Sequence, residues 1–168
     1  MLELVIPETE QYDEANDRFI TTKKQVLRLE HSLVSLSKWE SKWHKPYLSR
    51  KPKTREERID YARCMTLPQN VAPDVYTAIT PQMLKMVDAY IDDSMTATTF
   101  VKGRKGRSAN EVVTAEIIYY WMLSHQIPFE CQKWHLNRLM TLINVCNAKN
   151  GPQKKMSQKE IFAQNRAL

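Results

Sequence analysis

Seven consecutive residues, Ile117-Ile118-Tyr119-Tyr120-Trp121-Met122-Leu123, are apolar or aromatic without a break. As a helix, such a run is hydrophobic on every side, which is the pattern of a helix surrounded by others. A bilayer span takes about 20 such residues, so this run belongs to a protein core and not to a membrane. The rest of the chain must then supply amphipathic elements to enclose it. A mainly α fold, a helical bundle, is the expectation that follows.

Helix-start signals are plentiful enough to build one. Thr54-Arg55-Glu56-Glu57 and Ser108-Ala109-Asn110-Glu111 have the capping-box spacing, in which a hydroxyl accepts from an orphan backbone N–H and the Glu three residues on reaches back. Thr80-Pro81 places an N-cap hydroxyl before a proline at the first helical position, where a missing N–H is harmless. Pro128 suits a fourth start, so residues 108–126 and 128–148 are expected to form a helical pair with a tight corner. Apolar stripes at three- and four-residue spacing support this: Leu84, Val87 and Ile91 in one segment, and Leu136, Leu139 or Met140, and Ile143 in another. Leu33, Leu36, Trp39 and Trp43 predict a further amphipathic helix from Ser32 to Trp43, ended by Pro46.

The amino end reads differently. Leu2, Leu4 and Ile6 alternate with Glu3 and Val5, and Val26-Leu27-Arg28-Leu29-Glu30 carries a second partly alternating stretch. Both suit strands, so a small β hairpin or sheet (α+β) is expected at the start. The acidic segment Glu8 to Asp17 between them is too poor in apolar residues for a core and is expected to be an irregular connection. A chain of 168 residues can bury roughly 70% of its unfolded surface, enough for one self-sufficient core. The expected organisation is one globular domain over residues 1–149, β-containing over 1–30 and helical over 31–149. A basic, mobile tail over 150–168, opened by Gly151-Pro152, follows it.

Charge is unevenly spread. The net charge of +6 conceals an acidic first twenty residues followed by a basic stretch through residue 60, and a second basic stretch from residue 101 onward. The two signs can compensate within the fold or face different partners. An acidic amino end lacks the basic start of a secretory signal, and three widely separated cysteines (Cys64, Cys131, Cys146) favour a reducing compartment. A cytoplasmic protein is the expectation.

Catalytic chemistry finds little footing. No GxGxxG, Walker A, GxSxG or HExxH string occurs. Cys131 and His135, four apart on the predicted helix, would share a face, but zinc needs three or four convergent ligands. Glu56, Glu57 and Asp60, with Arg55 and Arg58 among them, read as solvated ion pairs, as does Asp92-Asp93 near a helix end. No enzyme, no cofactor and no metal are expected.

Binding is the better prospect. Gly103-Arg104-Lys105-Gly106 has the G-x-x-G form of a KH nucleic-acid loop, but the three-stranded sheet of that fold is missing, and a flexible cationic turn is the favoured reading. Trp39 and Trp43, one helical turn apart among polar neighbours, are candidates for an exposed aromatic edge. Met83, Met86 and Tyr90 could form the facing wall of a groove, with Lys102, Arg104, Lys105 and Arg107 recruiting acidic segments.

Three long strings sharpen this: Leu29-Glu30-His31-Ser32-Leu33 running through Ser35-Leu36-Ser37-Lys38-Trp39-Glu40-Ser41-Lys42-Trp43, then Met95-Thr96-Ala97-Thr98-Thr99-Phe100, then Ile127-Pro128-Phe129-Glu130-Cys131-Gln132-Lys133-Trp134-His135-Leu136-Asn137-Arg138-Leu139. With the ending Asn165-Arg166-Ala167-Leu168, they resemble the tail assembly chaperones of tailed bacteriophages over about residues 26–148. The resemblance implies a protein of the infected host cytoplasm that binds the tape measure protein, or another tail protein, during tail morphogenesis. It also implies that, where a longer frameshifted form is made, this chain is the shorter one. It carries no catalytic residues. A homo-oligomer is compatible with it, and nucleic acid is the least favoured partner. The rival readings are a virion structural protein of the tail or head–tail junction and, third, a small basic nucleic-acid-binding protein.

Overall fold

In a computed structural model of the chain, the amino end forms a long two-stranded antiparallel ribbon. The structure describes residues 1–13, 17–67, 71–99 and 112–150. β1 (Leu2–Ile6) pairs with β4 (Gln25–Leu29), and β2 (Thr9–Asp13) with β3 (Arg18–Thr22). Leu2 faces Leu29, Ile6 faces Gln25, Thr9 faces Thr22 and Asp13 faces Arg18, so one unbroken register runs through both pairs. Pro7 marks the interruption, because a proline has no N–H to give to a ladder. The strict alternation of β1 and β4 buries Leu4, Ile6, Leu27 and Leu29 completely and leaves Glu3, Val5, Val26 and Arg28 in solvent.

The expected irregular connection over Glu8 to Asp17 is corrected here, since Thr9–Asp13 is a strand. Low apolar content rules out a core strand but not a ribbon whose ladder is closed by the partner strand. Phe19-Ile20-Thr21-Thr22 supplies that partner with strand-favouring aromatic and β-branched residues. The rings of Tyr12 and Phe19, directly opposite in the register, lie 5.1 Å apart.

Helices follow. α1 (Leu33–Trp43) and α2 (Arg55–Met65) both open on capping boxes, Ser32 with Ser35 and Thr54 with Glu57. α1 stops at His44, whose φ of 51° is left-handed. A 3-10 segment, Pro73–Ala78, leads to α3 (Pro81–Asp92), where the Thr80 hydroxyl accepts from the Met83 N–H as its spacing predicted.

The last helical pair departs from expectation. α4 covers Ala115–Ser124, and the backbone at its N-cap, Thr114, is extended, so no single helix runs from 108 to 126. The Ser108 box falls outside the described residues. Thr114 gives no side-chain cap, and the Ala115 N–H is met instead by the Glu40 carboxylate from α1, at 2.7 Å. Nor does 128–148 form one helix: Phe129–Lys133 is 3-10 and α5 spans Leu136–Asn150. The break at His135 has a tertiary cause, because Ser32 and His135 form an antiparallel bridge and the Leu136 N–H donates to the His31 carbonyl at 2.7 Å.

One buried cluster gathers side chains from the inner half of the ribbon and from all five helices. At its α1–α2 face the Trp39 indole donates to the Glu57 carbonyl at 3.0 Å, and the rings of Tyr47 and Tyr61 stack 3.7 Å apart beside it. The fold is thus mainly helical with a small amino-terminal antiparallel sheet. Among the described residues, no helix is long and apolar enough to cross a membrane.

Candidate interaction surface

The polar groups that could carry chemistry are consumed inside this framework. His31 is buried, its Nδ1 2.6 Å from the Tyr61 hydroxyl and its ring 5.1 Å from that of His135. His135 is satisfied on both nitrogens: Nε2 lies 3.0 Å from the Tyr90 carbonyl and Nδ1 accepts from the Asn137 N–H at 3.3 Å. Both ring nitrogens are thus engaged with the backbone. Burial, helped by the neighbouring His135, pushes the His31 imidazole down to about 3. It is therefore neutral at ordinary pH and fills a structural role. Tyr90 closes the network by donating to Glu30 at 2.7 Å, whose other oxygen meets the amino terminus at 3.0 Å.

Cys131 and His135 do not share a helical face, because Cys131 sits in the 3-10 corner and His135 lies between that corner and α5. Burial raises the Cys131 thiol, the opposite of activation. Burial likewise pushes the Cys64 thiol up to about 11. Among the described residues no group of three or more His, Cys, Asp or Glu is placed to hold a metal ion.

The carboxylates are also engaged. Glu57 receives Lys45 at 2.7 Å and the Thr54 N–H at 2.8 Å, and Lys45 first and that N–H second hold its carboxyl below the usual range. Asp60 pairs with Lys42 and accepts from the Trp43 indole at 2.8 Å. Glu40, buried, accepts from the N–H groups of Tyr47 and Ala115 at 2.8 and 2.7 Å, joining α1, the following loop and α4 through one side chain. Burial raises its pKa, and the two backbone donors oppose that shift. Two clefts adjoin this region, about 200 Å³ beside Trp39 and Glu57 and about 270 Å³ beside Glu40 and His44. Both are smaller than the roughly 300 Å³ at which pockets begin to engulf a small ligand.

The side chains expected to bind a partner are dispersed. Trp39 is 1% exposed, so the anticipated Trp39 edge is corrected: its ring is core. Trp43 is half-buried, stacked on Trp39 at 5.8 Å, with Lys42 and Lys45 over its ring. On α3, Tyr90 is buried and hydrogen-bonded, Met83 is half-buried, and Met86 is exposed. With Trp39 and Tyr90 both buried, only Trp43, Met83 and Met86 of the expected groove residues on α1 and α3 reach the surface. Lys102, Arg104, Lys105 and Arg107 lie outside the described residues, as do the G-x-x-G loop and the tail from residue 151.

A different surface emerges on the helix expected to be enclosed. α4 buries only Ala115, Ile118 and Met122, whereas Tyr120 is 66% and Leu123 59% exposed. Phe129, 50% exposed, joins them from the 3-10 corner, its ring 6.4 Å from that of Tyr119. The Tyr119 hydroxyl donates to Gln132 at 2.8 Å and ties the corner to the helix. Glu116 and Glu130, both exposed, belong to the same two elements. Sequence reasoning missed this face because a run apolar on every side has no polar stripe to tell inside from outside.

No protein-family model matches the chain, and neither a curated protein nor a solved structure matches it.

Proposed function

We propose that this chain is a tail assembly chaperone of a tailed bacteriophage, acting in the host cytoplasm by holding the tape measure protein while the tail tube forms around it. The observation that carries the reading is the open Tyr120–Leu123–Phe129 face, combined with the family resemblance over about residues 26–148. Long helical proteins with an apolar stripe stay soluble when that stripe lies against another apolar surface, and an amphipathic helix docks through anchors at three- and four-residue spacing. Tyr120 and Leu123, three apart on α4, present such a surface, and Phe129 widens it. The engaged carboxylates, the neutral His31 and the raised Cys64 and Cys131 thiols agree with a binding role.

Co-expression tests this. A tape measure fragment is expected to stay soluble and co-purify with this chain, and Leu123→Asp is expected to reduce recovery at least tenfold. A fragment equally soluble alone sinks the reading. Stoichiometric recovery of this chain from purified virions would replace it with the structural-protein reading.

A further inference from the structure

The loop between α1 and α2 gathers positive charge with no acidic residue among it: Lys45, Arg50, Lys51, Lys53 and Arg55 all fall within residues 45–55. Its chain is held at both ends. The Tyr47 N–H donates to the buried Glu40 carboxylate at 2.8 Å, and Thr54 caps α2. Between these anchors the loop closes on its own lysine: the Lys53 ammonium donates to the Ser49 and Lys51 carbonyls at 3.2 and 3.4 Å and lies 4.8 Å from the centre of the Tyr47 ring. Neutral acceptors and an aromatic face thus orient this charge without neutralising it.

The cleft of about 200 Å³ beside Trp39 is lined by Lys45, Lys51 and Lys53, with Glu57 as the only carboxylate among its lining residues. Glu57 cannot serve all three. It is buried, with Oε1 taken by Lys45 at 2.7 Å and Oε2 by the Thr54 N–H at 2.8 Å. Nearby Lys42 and Arg58 have carboxylate partners in Asp60 and Asp88, whereas among the described residues no carboxylate pairs with Lys51 or Lys53. We propose that this cleft takes the carboxylate side chain of an acidic protein segment, which pairs with Lys51 and Lys53. The proposal goes beyond the reading above, since the cleft shares no lining residue with the α4 face and stands whatever that face binds.

Size and surroundings favour a carboxylate over a nucleic-acid backbone. The cleft has room for the end of one side chain and not for a run of phosphates. The rings on which bases would stack are turned inward: Trp39 and Tyr47 are buried, and Trp43 is stacked on Trp39 with Lys42 and Lys45 over it. Pro46 and Pro52, both in the lining, restrict the loop, so little chain freedom is lost when an anion enters. Partial burial lowers the Lys53 pKa, with Glu57 opposing, and a carboxylate seated beside the ammonium reverses that shift.

Nuclear magnetic resonance of the full chain, with carbon-labelled lysine Cε, tests this by titration with an acetylated and amidated hexaglutamate peptide. Saturable shifts are expected at the Lys51 and Lys53 Cε and at the Ser49 and Lys53 amides, with Lys53 titrating at higher pH in the complex. Lys53→Met should weaken binding about tenfold, as should Lys51→Glu, an exposed change that leaves the Lys53 contacts in place. Lys85→Met, at an exposed lysine of α3 outside the cleft, should change it less than about twofold. The Leu4 and Ile118 methyl resonances, unmoved in every variant, show that the core is intact. Shifts that bypass Ser49, Lys51 and Lys53 overturn the site, and so does equal weakening by Lys85→Met and Lys51→Glu, the mark of general attraction to a basic chain. An oligothymidylate with six phosphates that moves the same resonances and binds more tightly than the peptide overturns it in favour of nucleic acid. The tape measure reading fails separately, by co-expression, and neither result decides the other.

Discussion

At the scale of single residues, buried polar groups carry the sharpest consequences. His31 holds no proton in the folded chain until pH falls to about 3, whereas in the unfolded chain it takes one near 6.5. Its neutral-form stability is thus complete above pH 6.5 and drains away as pH falls through the window down to about 3. The slope is on the order of 1.4 kcal/mol per pH unit inside that window. Urea unfolding at pH 7.5 and pH 5.0 should show the native state weaker at pH 5.0 by about 2 kcal/mol. His31→Gln should be less stable at pH 7.5 yet should lose most of that difference. Glu40, with a raised carboxyl, acts with the opposite sign and only in the carboxylate range. Glu40→Ala strips the acceptor from two backbone N–H groups, of Tyr47 and Ala115, and should cost about 2–4 kcal/mol by urea midpoint. Glu40→Gln, which keeps one accepting oxygen, should cost about half that.

At the scale of elements, local signals decide where a helix can begin and tertiary contacts decide where it does begin. Thr54 and Thr80 accept from the N–H groups three residues on, as their spacing requires. Thr114 also stands at an N-cap, yet its hydroxyl takes no part and Glu40 substitutes from another helix. Thr54→Ala should therefore cost about 1 kcal/mol and Thr114→Ala only a few tenths, measured side by side in thermal or urea unfolding. The ribbon makes the complementary point. Strand pairing continues past Pro7 into an acidic segment, because alternate residues there exchange backbone hydrogen bonds across the register Thr9↔Thr22 to Asp13↔Arg18.

At the scale of the whole molecule, ion pairs tie separate elements together. Glu3 meets Arg28 across the ribbon at 3.6 Å, the amino terminus meets Glu30, and Arg58 reaches Asp88 from α2 to α3. Of these, Glu3–Arg28 joins the acidic start to the basic continuation. The core and the candidate interface separate cleanly on α4, which turns one side to each. Ile118→Ala, in the buried cluster, should destabilise by about 2–4 kcal/mol, while Leu123→Ala should leave the unfolding midpoint within about 0.5 kcal/mol of wild type. Chemical denaturation of the two variants measures both. A large loss at Leu123 would place that side chain in the core and remove the candidate surface.

By itself the sequence determined the two alternating strands, the helix starts at Thr54 and Thr80, the helix from Ser32 to Trp43 and the mainly helical class. Each rests on a rule acting over four or five residues: period-two burial, a hydroxyl reaching the third N–H, apolar residues one turn apart. Tertiary structure alone decided what needed a distant neighbour. His31 and Ser32 cut the expected 128–148 helix at His135, Glu40 supplied the cap for α4, and Thr21 and Thr22 gave an acidic segment its strand partner. The same holds for the candidate surface: which side of Ile117–Leu123 faces water depends on what packs on the other side, and a stretch that is apolar all round contains no mark of it.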